Sequence, residues 1–442
     1  FSERFRSLYP TTAAIYLPDG KVPEVGQIIR NPDFGKSMRI MCDAEDAAKS
    51  QGRVAGIEAA RDAFYKGPIA KRIAEFIREN PVMDASGEAH AGLLSEEDMA
   101  EWEATIEQPV TYEYKGLDVY KCPPWTQGPV FLQQLAILKG FDLQDQGHNT
   151  TEYLHTVVES AKLAFADRDT YYGDPLFDET PLGMLLSEDY SVGRRELVGE
   201  KASMEFRPGD LGGGVPDYAL ASVADDNRRA LGIGARDVQD LGFDHAHVGD
   251  TTHLDAVDSE GNMVAATPSG GWLGTSPIIE GLGFPLGTRG QMFYLNADRP
   301  NALAPHKRPR ATLTPSLVMK DGEPYMVFGT PGGDAQDQWT LQFFLNYVEF
   351  GMELQEALDA PTVHSVHFPS SFYPREAFAG RVFAESRLDQ EVFSNMEGRG
   401  HEMVKNSPWQ HGKLMAIRFH KDTGLIEGAV SAKGNIGYAL GW

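Results

Sequence analysis

Apolar positions recur at helical spacing through the first half of the chain and at strand spacing through much of the second. In PIAKRIAEFIREN, Pro68 to Asn80, the residues Ile69, Ile73, Phe76 and Ile77 fall on one stripe and Pro68 suits a first turn, which predicts an amphipathic helix. The mixed alanines and charges from Ala44 to Ala63 predict another helix. Ser95, with Asp98 three residues on, is a capping-box variant opening a helix in SEEDMAEW. VTYEYKGLDVYKC alternates and predicts a hairpin turning at Lys115-Gly116. PVFLQQLAILKGF and TTEYLHTVVESAKLAFADRD predict two further helices, the second opened by Thr150 or Thr151. From Met204 to Gly249 the pattern dissolves into glycine, proline and polar residues, and this stretch reads as irregular, exposed chain. Period-two runs then dominate: Thr251 to Val257, Met263 to Ser269, Leu313 to Lys320, Pro324 to Gly329 and Lys413 to His420. Helices are predicted near Gln336 to Glu349 and Leu388 to Arg399. The boundary at Gly249 to Thr251 separates a helix-rich half from a strand-rich half.

The chain has 442 residues, of which 41% are hydrophobic, enough for a large layered α/β core. No run of about 18 apolar residues occurs, so no membrane span is expected. A net charge of -24 argues against nucleic acid or an anionic membrane as partner. Two cysteines, Cys42 and Cys122, are too few for a disulfide framework or a cysteine zinc cage. No signal peptide is visible, and the compartment stays open.

Chemistry concentrates at the boundary. With period two, Thr251, His253 and Asp255 share one strand face, while Thr252, Leu254 and Ala256 share the other. DSEGN turns the chain and MVAATPS returns it, so Thr251 sits at the open end of a hairpin, directly after loose chain. A Thr preceded by a cleavable bond needs that placement: accessible, anchored by a strand and following chain that can move away. A threonine hydroxyl is a poor nucleophile without a base, and an N-terminal residue carries one in its α-amine, whose ordinary pKa is about 8. A second candidate is FGTPGGD, Phe328 to Asp334, where Gly332 and Gly333 would let two backbone N–H groups converge on an oxyanion. A tight turn after a strand is the plainer reading of a lone Pro-Gly-Gly.

Three stretches, DTTHLDAVDSEGNMVAATPS, KRPRATLTPSLVMKDGEPYMVFGTPGGD and ALDAPTVH, are similar to the small subunit of the γ-glutamyltransferases. FYKGPIAKRIAEFI, YKCPPWTQGPVFLQQLAIL and ADRDTYYGDPLF resemble their large subunit, so the resemblance runs in order along nearly the whole chain. It implies an N-terminal-nucleophile hydrolase with a four-layer αββα fold, made from a precursor that cuts itself before the first Thr of Thr-Thr-His. Residues 1–250 would be the large subunit and 251–442 the small one. Asp250–Thr251 would be the bond cut, Thr251 the nucleophile, and Gly332 and Gly333 the oxyanion donors. Ser269 stands where the family has a second Thr that hydrogen-bonds the nucleophile. Gln291 matches a residue holding the substrate's α-amino group, and Thr312 one of two adjacent serines near its carboxylate. No metal and no organic cofactor is implied. The partners implied are a small amide or peptide-like substrate and the two halves of one precursor, with higher oligomers open.

The departures are equally specific. Gly271 replaces an Asn that orients the glutamyl group, Tyr294 replaces the Asp that pairs with the substrate ammonium, and Ala311 replaces the first serine. Losing the acidic partner leaves an ammonium unpaired, which predicts weak glutamyl recognition. Arg289 or Arg310 is expected to bind an anionic group of a different acyl donor, and Trp272 could supply an apolar wall. The plainer reading of the whole basic cluster His306-Lys307-Arg308-Arg310 is a salt-bridged loop. The family's stretch before the region matching Phe1, which carries an Arg clamp for the substrate carboxylate, has no counterpart, and the chain is expected to be part of a longer one. His245, His247 and His253 with Asp250 have the composition of a metal site, against which stands the polar linker around them; His364 and His367 read as structural. The favoured function is an autoprocessed threonine amidohydrolase or acyltransferase with altered specificity. The alternatives are true γ-glutamyl transfer from glutathione-like donors and an unprocessed, silent binding relative.

Overall fold

Successive residues of the strand Glu323–Gly329 face opposite layers, and that alternation organises the larger part of the fold. Met326 and Phe328 point into a core shared with helices, and the Phe328 ring lies 5.2 Å from Phe343 and 6.0 Å from Phe131. Gly329 points the other way: a Cβ there would sit 2.2 Å from the imidazole of His253, so the hairpin carrying His253 rests directly on this strand. Glycine is required at 329 by this close approach, whatever its backbone angles.

A computed structural model describes residues 1–84, 87–220, 251–271, 273–373, 375–433 and 437–441. These fall into two compact units. The first comprises Phe1–Ile106 and Gly270–Thr288 among the described residues. Its helix Pro68–Glu79 buries Ile69, Ile73 and Phe76 against Ile279 and Leu282, as the stripe predicts. Helix Glu96–Glu101 begins with the expected capping box of Ser95 and Asp98. The single helix expected over Ala44–Ala63 is a correction. Helix Pro32–Ala48, capped by Asn31, ends in a short 3₁₀ turn, and Gly52 at φ 113 breaks the chain before helix Arg53–Tyr65.

The second unit contains Glu107–Leu220, Thr251–Ser269 and Arg289 onward. Its centre is a six-stranded antiparallel sheet in the order Leu425–Val430, Met415–His420, Glu323–Gly329, Ser316–Lys320, Leu117–Lys121, Val110–Tyr114. The last two strands turn at Lys115 (φ 50) and Gly116 (φ 79), the paired left-handed angles of a type I′ hairpin. Helices Pro129–Leu138 and Gln336–Val348 cover one face through Phe131, Leu135, Phe343 and Phe344. The hairpin Leu254–Val257/Met263–Ala266 packs on the other, where Phe419 meets Gly261. A three-stranded sheet, Glu402–Asn406, Arg381–Glu385 and Val363–Ser365, completes the unit and pairs its first two strands in parallel. Two of these strands and Leu425–Val430 are missing from the sequence reading, because their alternation is short and interrupted by charges.

Strand Leu117–Lys121 pairs with Ser316–Lys320, so the central sheet takes strands from both sides of the 250/251 position. A chain cut there would still share one hydrogen-bonded sheet and one core. The α/β class is as expected. No helix among the described residues is long and apolar enough to cross a membrane.

Candidate active site at Thr251

The ladder of the hairpin sets the first distance in the site. Leu254 pairs with Ala266, and the Thr252 N–H donates to the Pro268 carbonyl at 3.1 Å, which continues the register to the open end. Thr251 therefore stands opposite Ser269, and the two hydroxyl oxygens are 2.8 Å apart. The expected alternation holds. His253 is buried while Thr252, Leu254 and Ala256 are exposed, although regular pairing begins at Leu254 rather than at Thr251. Arg289 lies against the same oxygen, its Nη2 donating to the Ser269 hydroxyl, with its guanidinium 5.4 Å from the centre of the Phe372 ring.

His253 is held on both sides. Its Nδ1 lies 2.7 Å from the Thr267 hydroxyl and its Nε2 3.0 Å from Asp255. Burial raises the Asp255 carboxyl above the usual range against the opposing pull of His253. With both ring nitrogens engaged, His253 acts as a spacer between hairpin and sheet rather than as a metal ligand. His245, His247 and Asp250 lie outside the described residues, as does Trp272.

A cleft opens beside Thr251, lined by Pro331, Lys413, Ser431 and Lys433 among others. Pro331 begins the glycine turn. Gly332 has φ 145, and a Cβ on it would sit 2.3 Å from the Trp339 ring; Gly333 has φ 55. Neither position tolerates a side chain without strain. Their carbonyls are tied inward: Gly332 accepts from Ala335 N–H at 3.1 Å, and Gly333 accepts from the amides of Gln336 at 3.1 Å and Gln127 at 3.3 Å. Among the described residues, no hydrogen bond takes up the N–H of Gly332 or Gly333. The turn is fixed from behind by Asp334, whose carboxylate accepts from Ser371 N–H at 2.8 Å and Ser371 Oγ at 2.6 Å and pairs with Arg168. Burial alone would raise Asp334, but Arg168 and the Ser371 bonds outweigh it and hold the carboxyl below its ordinary value. Arg168, Asp334, Ser371 and Gln127 are supporting residues that the sequence reading does not single out. The available signal was the charged run Asp167-Arg168-Asp169 inside helix Thr151–Tyr171, which has almost no exposed face.

The remaining candidates divide. Thr312 is buried, its carbonyl accepts from Gln336 at 2.9 Å, and its hydroxyl has no hydrogen-bond partner among the described residues. Gln291 lies in the turn Arg289–Met292, and its carbonyl accepts from Arg375 at 3.1 Å. Tyr294 is fully buried, donates to Asp169 at 2.5 Å and stacks under the Arg375 guanidinium 4.0 Å from its ring centre. Gly271 belongs to the first compact unit, where φ 67 and the Thr288 hydroxyl, 2.7 Å from a hypothetical Cβ, exclude a larger residue. Arg310 is ion-paired, as the plainer reading of the basic cluster has it: its guanidinium is buried against the Arg168 carbonyl at 3.0 Å, Asp169 at 3.4 Å and Ser371 at 3.5 Å. The neighbouring basic residues are salt-bridged, Arg308 to Asp174 at 2.8 Å and to Glu107, and Lys307 to Asp178 at 2.8 Å.

Elsewhere in this unit, one group of metal-type ligands converges among the described residues: His155, Glu159 and His401. His155 Nε2 donates to the Gly199 carbonyl at 2.8 Å, so its Nδ1 accepts from His401 Nε2 at 2.8 Å. Glu159 is already bonded to Lys162 at 2.6 Å and Arg207 at 3.0 Å, and two cations on one carboxylate disfavour a third. The group reads as a neutralised internal network.

The family model for gamma-glutamyltranspeptidase matches residues 2–440. The glutathione hydrolase proenzyme of Bacillus subtilis (strain 168) is 27% identical over 433 residues, 97% of this chain and 64% of that protein. The Acylase ACY 1 proenzyme of Pseudomonas sp. (strain SE83) is 26% identical over 422 residues, 95% of this chain and 63% of that protein. The solved structure of LmbA2991HD superposes with a TM-score of 0.89 at 46% identity, over 100% of this chain and 73% of that one. The chain thus spans just under two thirds of the length of these two curated relatives.

Proposed function

The chain belongs to the gamma-glutamyltranspeptidase family, and we propose that it is an autoprocessed amide hydrolase or acyltransferase with Thr251 as nucleophile. The observation that carries this reading is the pairing of Thr251 with Ser269 at the open end of the hairpin, by a cleft that Pro331 of the glycine turn also lines, a turn with two N–H groups unclaimed among the described residues. The chemistry would begin with scission between Asp250 and Thr251, giving a large piece, 1–250, and a small one, 251–442, within the four-layer αββα sandwich of the N-terminal-nucleophile hydrolases. Thr251 then carries both hydroxyl and amine. The amine takes the hydroxyl proton as the oxygen attacks an amide carbonyl, Gly332 and Gly333 donate to the oxyanion, and the leaving amine receives the proton. Water or a second amine removes the acyl group. Gln291 and Thr312 are our candidates for substrate recognition, since the buried Thr312 hydroxyl has no partner among the described residues and calls for an explanation.

Two observations favour an acyl group other than γ-glutamyl. Tyr294 puts a phenol, bound to Asp169 and surrounded by arginines, where a carboxylate for the substrate ammonium is expected. A relative of similar identity is named an acylase. The test is a panel of p-nitroanilides carrying γ-glutamyl, glutaryl and neutral acyl groups. Faster release from glutaryl than from γ-glutamyl supports altered specificity; a preference for γ-glutamyl installs the transferase reading instead. Purified protein that migrates as one full-length band and cleaves none of the panel would support a silent binding relative.

A further inference from the structure

The hydrogen-bond chain does not end at the Thr251–Ser269 pair. Behind that serine stands Arg289, and the three form a line: guanidinium to serine oxygen, serine oxygen to threonine oxygen at 2.8 Å. An arginine can only donate, so it occupies an acceptor lone pair of Ser269. A hydroxyl that accepts from a cation becomes a stronger donor and a weaker acceptor. A Ser269 proton given to the Thr251 oxygen would favour the developing alkoxide. All three residues belong to one compact unit, and the backbone fixes both ends: hairpin register sets Thr251 against Ser269, while Arg289 opens the turn Arg289–Met292 and rests over Phe372.

We propose that Arg289 is a positioning residue that activates Thr251 through Ser269, and that its main task is the self-cleavage of the precursor. The proposal rests on the reading of Thr251 as nucleophile. It follows from a difference between the two reactions assigned to that residue. In the cut enzyme the α-amine supplies a base. In the uncut chain the same nitrogen is an amide, with no basic lone pair, so the hydroxyl depends on its surroundings. The step balances without another reagent: the Thr251 oxygen bonds to the carbonyl carbon of residue 250, the carbon–nitrogen bond breaks, and the hydroxyl proton ends on the departing nitrogen. Water then hydrolyses the ester, giving a carboxyl on residue 250 and restoring the hydroxyl. A cationic relay behind the attacking oxygen supports the first of these steps. It would also account for an arginine that faces a serine rather than an open anion site.

The experiment needs no substrate. The full-length protein is made as wild type, Arg289→Gln, Arg289→Lys, Ser269→Ala, the Arg289→Gln/Ser269→Ala double variant and Thr251→Ala, and conversion of the uncut band into two fragments is timed on denaturing gels. Near-ultraviolet circular dichroism confirms folding. We expect Arg289→Gln to process about 100-fold more slowly, in the range seen when one preorganised donor is removed. Arg289→Lys, which keeps a cationic donor, should recover to within about tenfold of wild type. Because the two residues act as one relay, the double variant should be no slower than the slower single variant. Wild-type processing by Arg289→Gln overturns the proposal, as do folded Arg289→Lys as slow as Arg289→Gln, or single effects that multiply in the double variant. If Arg289→Gln does not fold, Ser269→Ala decides: unimpaired processing overturns the relay. Thr251→Ala tests the underlying assignment separately, since fragments from that variant would remove the nucleophile itself, whatever the arginine variants do.

Discussion

The open end of the Leu254–Val257 hairpin and the arginine cluster around Asp169 belong to the same compact unit and treat polar groups in opposite ways. At the hairpin, a half-buried hydroxyl is held by a serine beside a cleft, and in the glycine turn whose Pro331 lines that cleft two backbone N–H groups are untaken among the described residues. Around Asp169, charge faces charge: Tyr294 donates to it, Arg299 and Arg310 approach it at 3.5 and 3.4 Å, and Arg375 covers the Tyr294 ring, although Asp169 Oδ2 and Arg299 Nε make no hydrogen bond among the described residues. The first arrangement leaves capacity for a reacting molecule. The second neutralises itself, and the phenol at 294 is part of that neutralisation. A substituted position that looks like a changed binding site in the sequence is, in the fold, a changed interior. The same arginine-rich region also anchors the reactive one, since Arg168 pairs with Asp334 immediately after the glycine turn.

The contrast can be broken most forcefully at its reactive end. Thr251→Ala should abolish both chain scission and amide turnover, a loss of at least about 10³-fold, with the circular dichroism spectrum unchanged. Gly332→Ala comes next. It demands φ 145 of a residue with a Cβ and drives that atom into Trp339, so turnover should fall by about 10²–10³-fold and the melting temperature should drop as well. Tyr294→Phe sharpens the comparison from the other side. Removing the hydroxyl leaves Asp169 short of a buried hydrogen bond, which costs about 1–3 kcal/mol of stability. Turnover of the preferred anilide should stay within about threefold. A large kinetic effect with unchanged stability would return Tyr294 to the binding pocket.

The smallest effect for any single side chain is a pH dependence of stability. Burial lowers His155, His364, His367, His401 and His411 below the ordinary histidine value, His401 to about 3. Each is neutral in the fold, while the unfolded chain takes up protons below about pH 6.5. Stability is therefore fully present above that value and declines as pH falls toward the folded pKa, by up to about 1.4 kcal/mol per pH unit for each such histidine. Urea midpoints at pH 7.5 and pH 5.5 check the sign, and a folded His401→Gln variant should show a shallower decline.

The difference between the regions also explains what the sequence could disclose. Thr251 and Ser269 are joined by hairpin register, and register follows from alternation and a short turn, both local. The Lys115-Gly116 turn, the Ser95 cap and the Ile69 stripe were legible for the same reason. The Asp169 cluster joins residues 169, 294, 299, 310 and 375, and nothing local specifies that pairing. Helix Thr151–Tyr171 hides its role because it is buried all round, so its apolar pattern does not mark which charges turn inward. The break at Gly52 could have been read from the glycine, but alanine and charge composition on both sides masked it.

The central claim is that one residue supplies the nucleophile after its own peptide bond has been cut. Intact-mass analysis and N-terminal sequencing of catalytically active protein test it directly. The account predicts two fragments, one beginning Thr-Thr-His at position 251, and a single uncut chain for Thr251→Ala. Active protein with an unbroken backbone through 250 and 251 would contradict it.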